Sequence, residues 1–216
     1  MENIDGYTYR AKRVVSFPMD GGTQGHYSLV SGTGNMAAGA GTNAELFHFR
    51  WTAPDIIARI LEFKVTGLRA STAFAVGAID IDLYIARSWT ASGTGGTFPV
   101  LSGNNQKLDT RFGTSLMVGQ RVATTAPLGV GTKTLDTQPV GTITTHSSGG
   151  FSTATPIIGS IYLPTVELFK AEIGDCQSPI HLQQNEGIVL MASVPATGVW
   201  QLKFSMTWVE SPRFRT

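Results

Sequence analysis

The chain has 216 residues and one cysteine, Cys176, so no disulfide framework and no cysteine-based zinc site can form within a single copy. An inert buried thiol is the simplest role for that residue. Charge is also scarce: 14% of residues are charged and the net charge is +1, which excludes the broad positive field of a nucleic-acid-binding surface. No apolar run reaches the ~18 residues needed to cross a bilayer, so no membrane partner is expected. The first residues, MENIDGYTYRAKRVV, lack an apolar core, and a secretory leader is not expected there. Catalytic signatures are missing too: no G-x-S-x-G elbow, no phosphate-binding G-x-x-x-x-G-K-[ST] loop and no H-E-x-x-H pair. The four histidines (His26, His48, His146 and His181) stand in no metal-ligand spacing. No cofactor is implied.

Two-residue alternation is what the sequence does have. From Val199 to Val209, Trp200, Leu202, Phe204, Met206 and Trp208 fall on one side, and Gln201, Lys203, Ser205 and Thr207 on the other. A strand's side chains alternate with period 2, so this predicts a β-strand with one buried and one wet face. Ile188, Leu190, Ala192 and Val194 alternate just before it, and Pro195-Ala196-Thr197-Gly198 separates the two runs with turn-forming residues. The stretch Ile180 to Glu210 therefore reads as an antiparallel hairpin with two tryptophans in the core.

Further strands are predicted over Tyr7–Phe17, over Glu45–Trp51, over Ile56–Thr66 with Ile57, Leu61, Phe63 and Val65 inward, and over Ala75–Arg87 with Ile79, Ile81, Leu83 and Ile85 inward. Ile157–Phe169, broken by Gly159 and Pro164, is the least regular of the set. Weak strand character runs over Val118–Thr125 and Thr132–Thr145, and Asn104–Leu116 suits a short helical turn. The remainder reads as loop: Pro18–Thr42, Ser88–Phe98 around Trp89, the linker-like His146–Pro156, and Ala171–Pro179. Within the first loop, Gly32–Ala37 (GTGNMA) superficially fits a dinucleotide fingerprint. More glycine follows it and no amphipathic helix does, so that reading is set aside.

Several strands with one apolar face and no βαβ rhythm predict an all-β antiparallel sandwich, jelly-roll-like, with long Gly/Thr-rich loops. The expected layout is an N-terminal arm and flexible glycine-rich loop over residues 1–44 and one sandwich domain over 45–216. Candidate partner contacts are the basic residues Arg10, Lys12 and Arg13, alternatively a solvated end, and Glu186. That acid lies in an Asn185-Glu186-Gly187 turn in which Gly187 can take positive φ. Asp80 and Asp82 stand about 7 Å apart on one strand face. Paired carboxylates suit a glycosidase or a hard cation, but two solvated aspartates are the simpler reading.

Three stretches carry a resemblance: SWTASGTGGT with LSGNNQKLDTRFGTSL (Ser88 to Leu116), ATTAPLGVGTKTLDTQPVG (Ala123 to Gly141), and PIHLQQNEGIVL with ATGVWQLKFSMTWVE (Pro179 to Glu210). Together they resemble β-rich structural proteins of tailed bacteriophage virions, in the same order along the chain. The resemblance implies a jelly-roll or sandwich fold, assembly as a homo-oligomer, often a homotrimer, and a place on the virion after synthesis in the host bacterial cytoplasm. It implies a capsid decoration or cement protein contacting the major capsid protein or other virion proteins, with a tail or fibre component next. No catalytic residue carries over, so an enzyme is not expected. A carbohydrate-binding module is the competing class; it requires Trp51, Trp89 or Tyr84 as an exposed stacking platform. A glycan depolymerase would need Asp80 or Asp82 in a cleft.

Overall fold

The alternation in the last strand is realised residue by residue. Trp200, Leu202, Phe204, Met206 and Trp208 are each at most 1% exposed, while Lys203 between them faces solvent. A computed structural model describes residues 2–4, 7–9, 25–37, 43–72, 74–147, 165–172 and 178–212. Among them every regular element is a strand. In chain order these are β1 (Glu2–Ile4), β2 (Tyr7–Tyr9), β3 (Gly25–Gly32), β4 (Ala44–Arg50), β5 (Ile56–Thr72), β6 (Gly77–Ala91), β7 (Val118–Val122), β8 (Thr132–Leu135), β9 (Gly141–Ser147), β10 (Val166–Lys170), β11 (Ile180–Leu182), β12 (Gly187–Ser193) and β13 (Val199–Pro212).

Beyond the β1–β2 pair there are two antiparallel sheets. The first has the order β10-β5-β13-β3, with β11 also paired to β5; the second has the order β7-β4-β12-β6-β8, with β9 also paired to β6. Their apolar faces meet in one core. Phe47 of β4 lies 4.7 Å from Phe204 of β13 and 6.2 Å from Phe63 of β5, and Phe63 stacks on Phe204 at 5.6 Å. Ile79, Ile81, Leu83 and Leu190 complete the second sheet's side, all fully buried. The result is a β-sandwich, as the alternation predicts.

Several expectations need correction. β12 and β13 do not form a hairpin: β12 lies between β4 and β6 in one sheet, and β13 between β5 and β3 in the other. Pro195–Gly198 is an arch that carries the chain across the sandwich, with Gly198 at φ 119°. Turn chemistry is the same whether the next strand pairs with the last or faces it. Part of the expected arm and loop is sheet: β3 pairs with β13 from Gly25↔Glu210 to Gly32↔Lys203, with Tyr27 and Leu29 buried. The sandwich therefore includes residues that the 44/45 boundary assigns to the arm. β6 runs on to Ala91, which makes Trp89 a strand residue. In β5 the inward residues before Phe63 are Ala58 and Ile60, not Ile57, because the pairing Thr207↔Glu62 and Trp208↔Ile60 leaves Leu61 as a bulge and shifts the parity. Residues 103–106 form a turn and no helix. Residues 10–17, 148–164 and Cys176 lie outside the described residues.

Candidate interaction surface

Two polar clusters fix the loops at the sandwich surface, and an apolar ridge is built on those loops. The first cluster starts from a bulge in β4. Leu190 pairs with Phe47 and Met191 with Glu45, so Leu46 is the extra residue. Residues three apart on a regular strand point to opposite faces. The bulge puts Glu45 and His48 on the same outer face of the second sheet, where both are at most 1% exposed. The Glu45 carboxylate accepts from His48 Nδ1, and its other oxygen is 2.6 Å from Lys133 Nζ. Lys133 also donates to the Val130 carbonyl, lies 4.7 Å from the Trp89 ring, and has a side chain only 1% exposed. His48 packs edge-on against Trp89 at 5.1 Å.

The covering strands of loop are pinned by backbone bonds: Leu128 N to Glu45 O at 2.8 Å, Gly129 N to Thr94 O at 2.9 Å, and Ala123 N to Leu46 O at 2.8 Å. A Cβ on Gly93 would stand 1.7 Å from Gly129 O and 2.8 Å from His48 Cε1, so the cover fits only with glycine there. An imidazole held at Nδ1 by a carboxylate resembles half of a nucleophile-activating dyad. Its Nε2 is buried, and no described side chain hydrogen-bonds to it. With a neutral ring the cluster's charges cancel, and it acts as an internal staple for the loops.

Glu210 forms the second staple. Only 1% exposed, it accepts from Ser115 Oγ at 2.6 Å, from the Leu116 amide at 3.1 Å and from Trp208 Nε1 at 3.2 Å. Burial raises its carboxyl above the ordinary range, and these hydrogen bonds only partly oppose that. Tyr27 stacks on Trp208 at 5.3 Å and donates to the Gly113 carbonyl at 3.0 Å. Burial, with the Glu210 charge nearby, pushes its hydroxyl up to about 12.

Between the staples, residues 97–101 run beside 116–122: Thr97 pairs with Val122, and Gln120 Nε2 donates to Pro99 O at 3.2 Å. Leu101 and Met117 turn inward, while Phe98, Val100, Leu116 and Val118 turn out at 39–59% exposure. The Arg121 guanidinium lies 4.1 Å over the Phe98 ring. Leu116 and Val118 continue into a groove of about 550 Å³ whose other wall is Thr52–Ile56. This ridge and groove were not read from the sequence, because the two segments are brought together only by the tertiary fold.

The residues picked from the sequence fall elsewhere. Arg10, Lys12 and Arg13 lie outside the described residues. Glu186 is engaged within its own chain: it accepts from the Gln183 amide at 2.7 Å and lies 3.8 Å from Arg87. In that turn Asn185, not Gly187, has positive φ (66°); Gly187 is needed because a Cβ would stand 2.1 Å from Phe49 O. Trp51 and Trp89 are fully buried and offer no stacking platform, and Tyr84 is half-buried on a strand face. Asp80 and Asp82 also lie half-buried on that face, with Asp80 accepting from Thr144 Oγ1 at 2.7 Å. Among the described residues no group of three or more His, Cys, Asp or Glu side chains is placed to hold a metal ion. No protein-family model, no curated protein and no solved structure matches the chain.

Proposed function

We propose that the chain is a structural protein of a tailed-bacteriophage virion. In this reading it is a capsid decoration or cement protein that bridges copies of the major capsid protein as a homotrimer. The observation that carries the reading is the ridge of Phe98, Val100, Leu116 and Val118, an exposed apolar surface whose Ser115–Leu116 segment the buried Glu210 carboxylate holds in place. Contiguous exposed apolar surface marks interaction sites, and pre-ordered loops lower the entropy lost on association.

The strand order supports a jelly roll. Pairing is nested along the chain: β3 with β13, β4 with β12, β5 with β10 and β11, β6 with β8 and β9. Such nesting is what a long antiparallel hairpin rolled into two sheets would give, an architecture that hosts viral capsid and lectin domains. A fold does not choose between those uses. The burial of Trp51 and Trp89 weighs against the carbohydrate reading, and the resemblance of three stretches to phage virion proteins favours the capsid one. A standard interface of about 1,600 Å², repeated around a shell, would hold capsomers together by avidity.

Two variants test the proposal in a capsid co-sedimentation assay with a parallel melting curve. Val100→Glu with Val118→Glu places charge on the ridge and should abolish capsid binding while leaving the melt unchanged. A deletion for testing the N-terminal stretch must stop at residue 24, because Gly25 begins β3. That deletion should keep the fold and weaken binding by removing Arg10, Lys12 and Arg13. A trimer in solution, visible at capsomer junctions in a particle reconstruction, is the expected assembly. A monomer absent from particles would overturn the reading.

A further inference from the structure

The solvent face of the first sheet carries a small polar pocket of about 260 Å³, whose described lining is Asn35, Arg69, Ser71 and Gln201. Backbone pairing assembles it. Met36 and Trp200 exchange hydrogen bonds at 2.8 and 3.1 Å with both side chains in the core, so their neighbours Asn35 and Gln201 face outward. Arg69 of β5 stands directly opposite Gln201 of β13. Lys203 follows on the same face, two residues and ~7 Å along the strand. Among the described residues neither Arg69 nor Lys203 has an ion-pair partner. Glu62 and Glu167, acids of the same sheet, are engaged by Lys64.

The lining groups are of mixed kind. Gln201 Nε2 donates to Asn35 Oδ1 at 2.8 Å, which leaves Asn35 Nδ2 as a donor and Gln201 Oε1 as an acceptor. Reversing both amides exchanges these roles and still leaves one of each. Ser71 Oγ donates to the Val199 carbonyl at 3.2 Å and keeps its lone pairs. The Arg69 guanidinium is a planar, donor-only fork that matches a carboxylate. A hydroxyl both gives and accepts a hydrogen bond, so it fits a donor beside an acceptor. A simple carboxylate, a phosphate or an acidic side chain would leave those acceptors unused. We propose that the pocket binds a hydroxylated carboxylic acid of single-sugar size, the uronic acid class. Its carboxylate lies on Arg69 and its hydroxyls among Asn35, Ser71 and Gln201. The volume sits just below the ~300–1,000 Å³ of drug-sized sites, which suits one such group. No aromatic ring lines the pocket among the described residues, so recognition rests on charge and hydrogen bonds, and a neutral sugar is disfavoured. The inference shares no residue with the apolar ridge and does not depend on the virion reading.

The test titrates the full, nitrogen-15-labelled chain with sodium glucuronate, glucose, sodium acetate and sodium phosphate at one ionic strength. Glucuronate should give saturable shifts of the Asn35 and Gln201 side-chain amide signals. Glucose and acetate each carry half of the recognised chemistry and should bind at least roughly tenfold more weakly, the loss expected when a hydrogen bond to a charged group is removed. Acetate or phosphate binding as tightly as glucuronate would mean an adventitious ion only, and glucose binding as tightly would remove the role of Arg69. Either result overturns the proposal, as does the lack of a saturable shift with glucuronate. Gln201→Glu sets a carboxylate opposite Arg69 within the chain and should abolish binding, as should Arg69→Gln. Both side chains point away from the core, so the melting curves should stay in place. Arg69→Lys keeps the charge, loses the planar fork and should weaken binding by a smaller factor. Undiminished binding in Gln201→Glu or Arg69→Gln would also overturn the assignment.

Discussion

Lys133→Met gives a direct test of the staple under the loops. The lysine's charge is buried against Glu45 at 2.6 Å, with both side chains at most 1% exposed. Methionine keeps much of the volume against Trp89 and removes only the charge and the donors. The Glu45 carboxylate is then left in the interior with His48 as its sole side-chain partner among the described residues. Removing one partner of a buried pair typically costs about 3–5 kcal/mol, because the remaining charge is uncompensated. For a domain of 150–250 residues each kcal/mol lowers the melting temperature by about 2–4 °C, so the expected loss is roughly 6–20 °C. The double variant, Lys133→Met with Glu45→Gln, should recover most of that, since replacing both charges of a buried pair is often nearly neutral. Urea titration followed by tryptophan fluorescence reads all three proteins. A cost below about 1 kcal/mol for Lys133→Met would be the behaviour of an exposed pair. It would refute the view that this lysine is sealed beneath the loops.

Two other changes have directions set by the structure. Burial raises the Glu210 carboxyl. The folded state then holds its proton to higher pH than the unfolded state, so this group's stabilisation is complete below the ordinary carboxylate range and is lost as pH rises through the folded value. Glu210→Gln should remove that component, and the variant's urea midpoint should gain on the wild type's as pH rises from acid to neutral. A constant difference between the two would refute it. Gly187→Ala puts a methyl 2.1 Å from Phe49 O and 2.7 Å from the Trp89 ring, where β12 passes between β4 and β6. Strain of this kind costs ~1–3 kcal/mol, and circular-dichroism melts should show it as a lower midpoint.

The sheets were legible where one face of a strand meets the core and the other meets water. β13 and β6 satisfy that condition, and their alternation gives the inward set directly. β3 does not stand out, because Tyr27 and Leu29 are its only buried large apolar residues and glycine, serine and histidine surround them. Pairing was not legible. Pro195–Gly198 has the residues of a hairpin turn, yet the arch joins strands in opposite sheets because β12 and β13 find better-matched neighbours from distant parts of the chain. Leu46 and Leu61 both sit at bulges, and each bulge overturns a simple alternation. The buried staple depends on one of them. Glu45 and His48 are close in sequence and carry little information alone; Lys133, which completes the cluster, is 88 residues from Glu45.

The buried acids share a pattern that bears on what the loops can do. Glu45 anchors the segment around Val130–Lys133, and Glu210 anchors Ser115–Leu116. Glu45 reaches from β4 to Lys133 on the edge strand β8, and Glu210 reaches from β13 to a loop with no ladder pairing of its own. A buried carboxylate carries a desolvation penalty that is offset only when its partners are held in place. The cost therefore weighs against any loop arrangement that abandons the carboxylate. The Ser115–Leu116 loop is fixed in this way without helix or sheet. A chain that builds rigid loops and ends them in Phe98, Val100 and Val118 has the ingredients of a preformed contact surface. The Glu210 staple links this surface to core stability: Glu210→Ala should loosen the Ser115–Leu116 segment as well as lower the melting temperature.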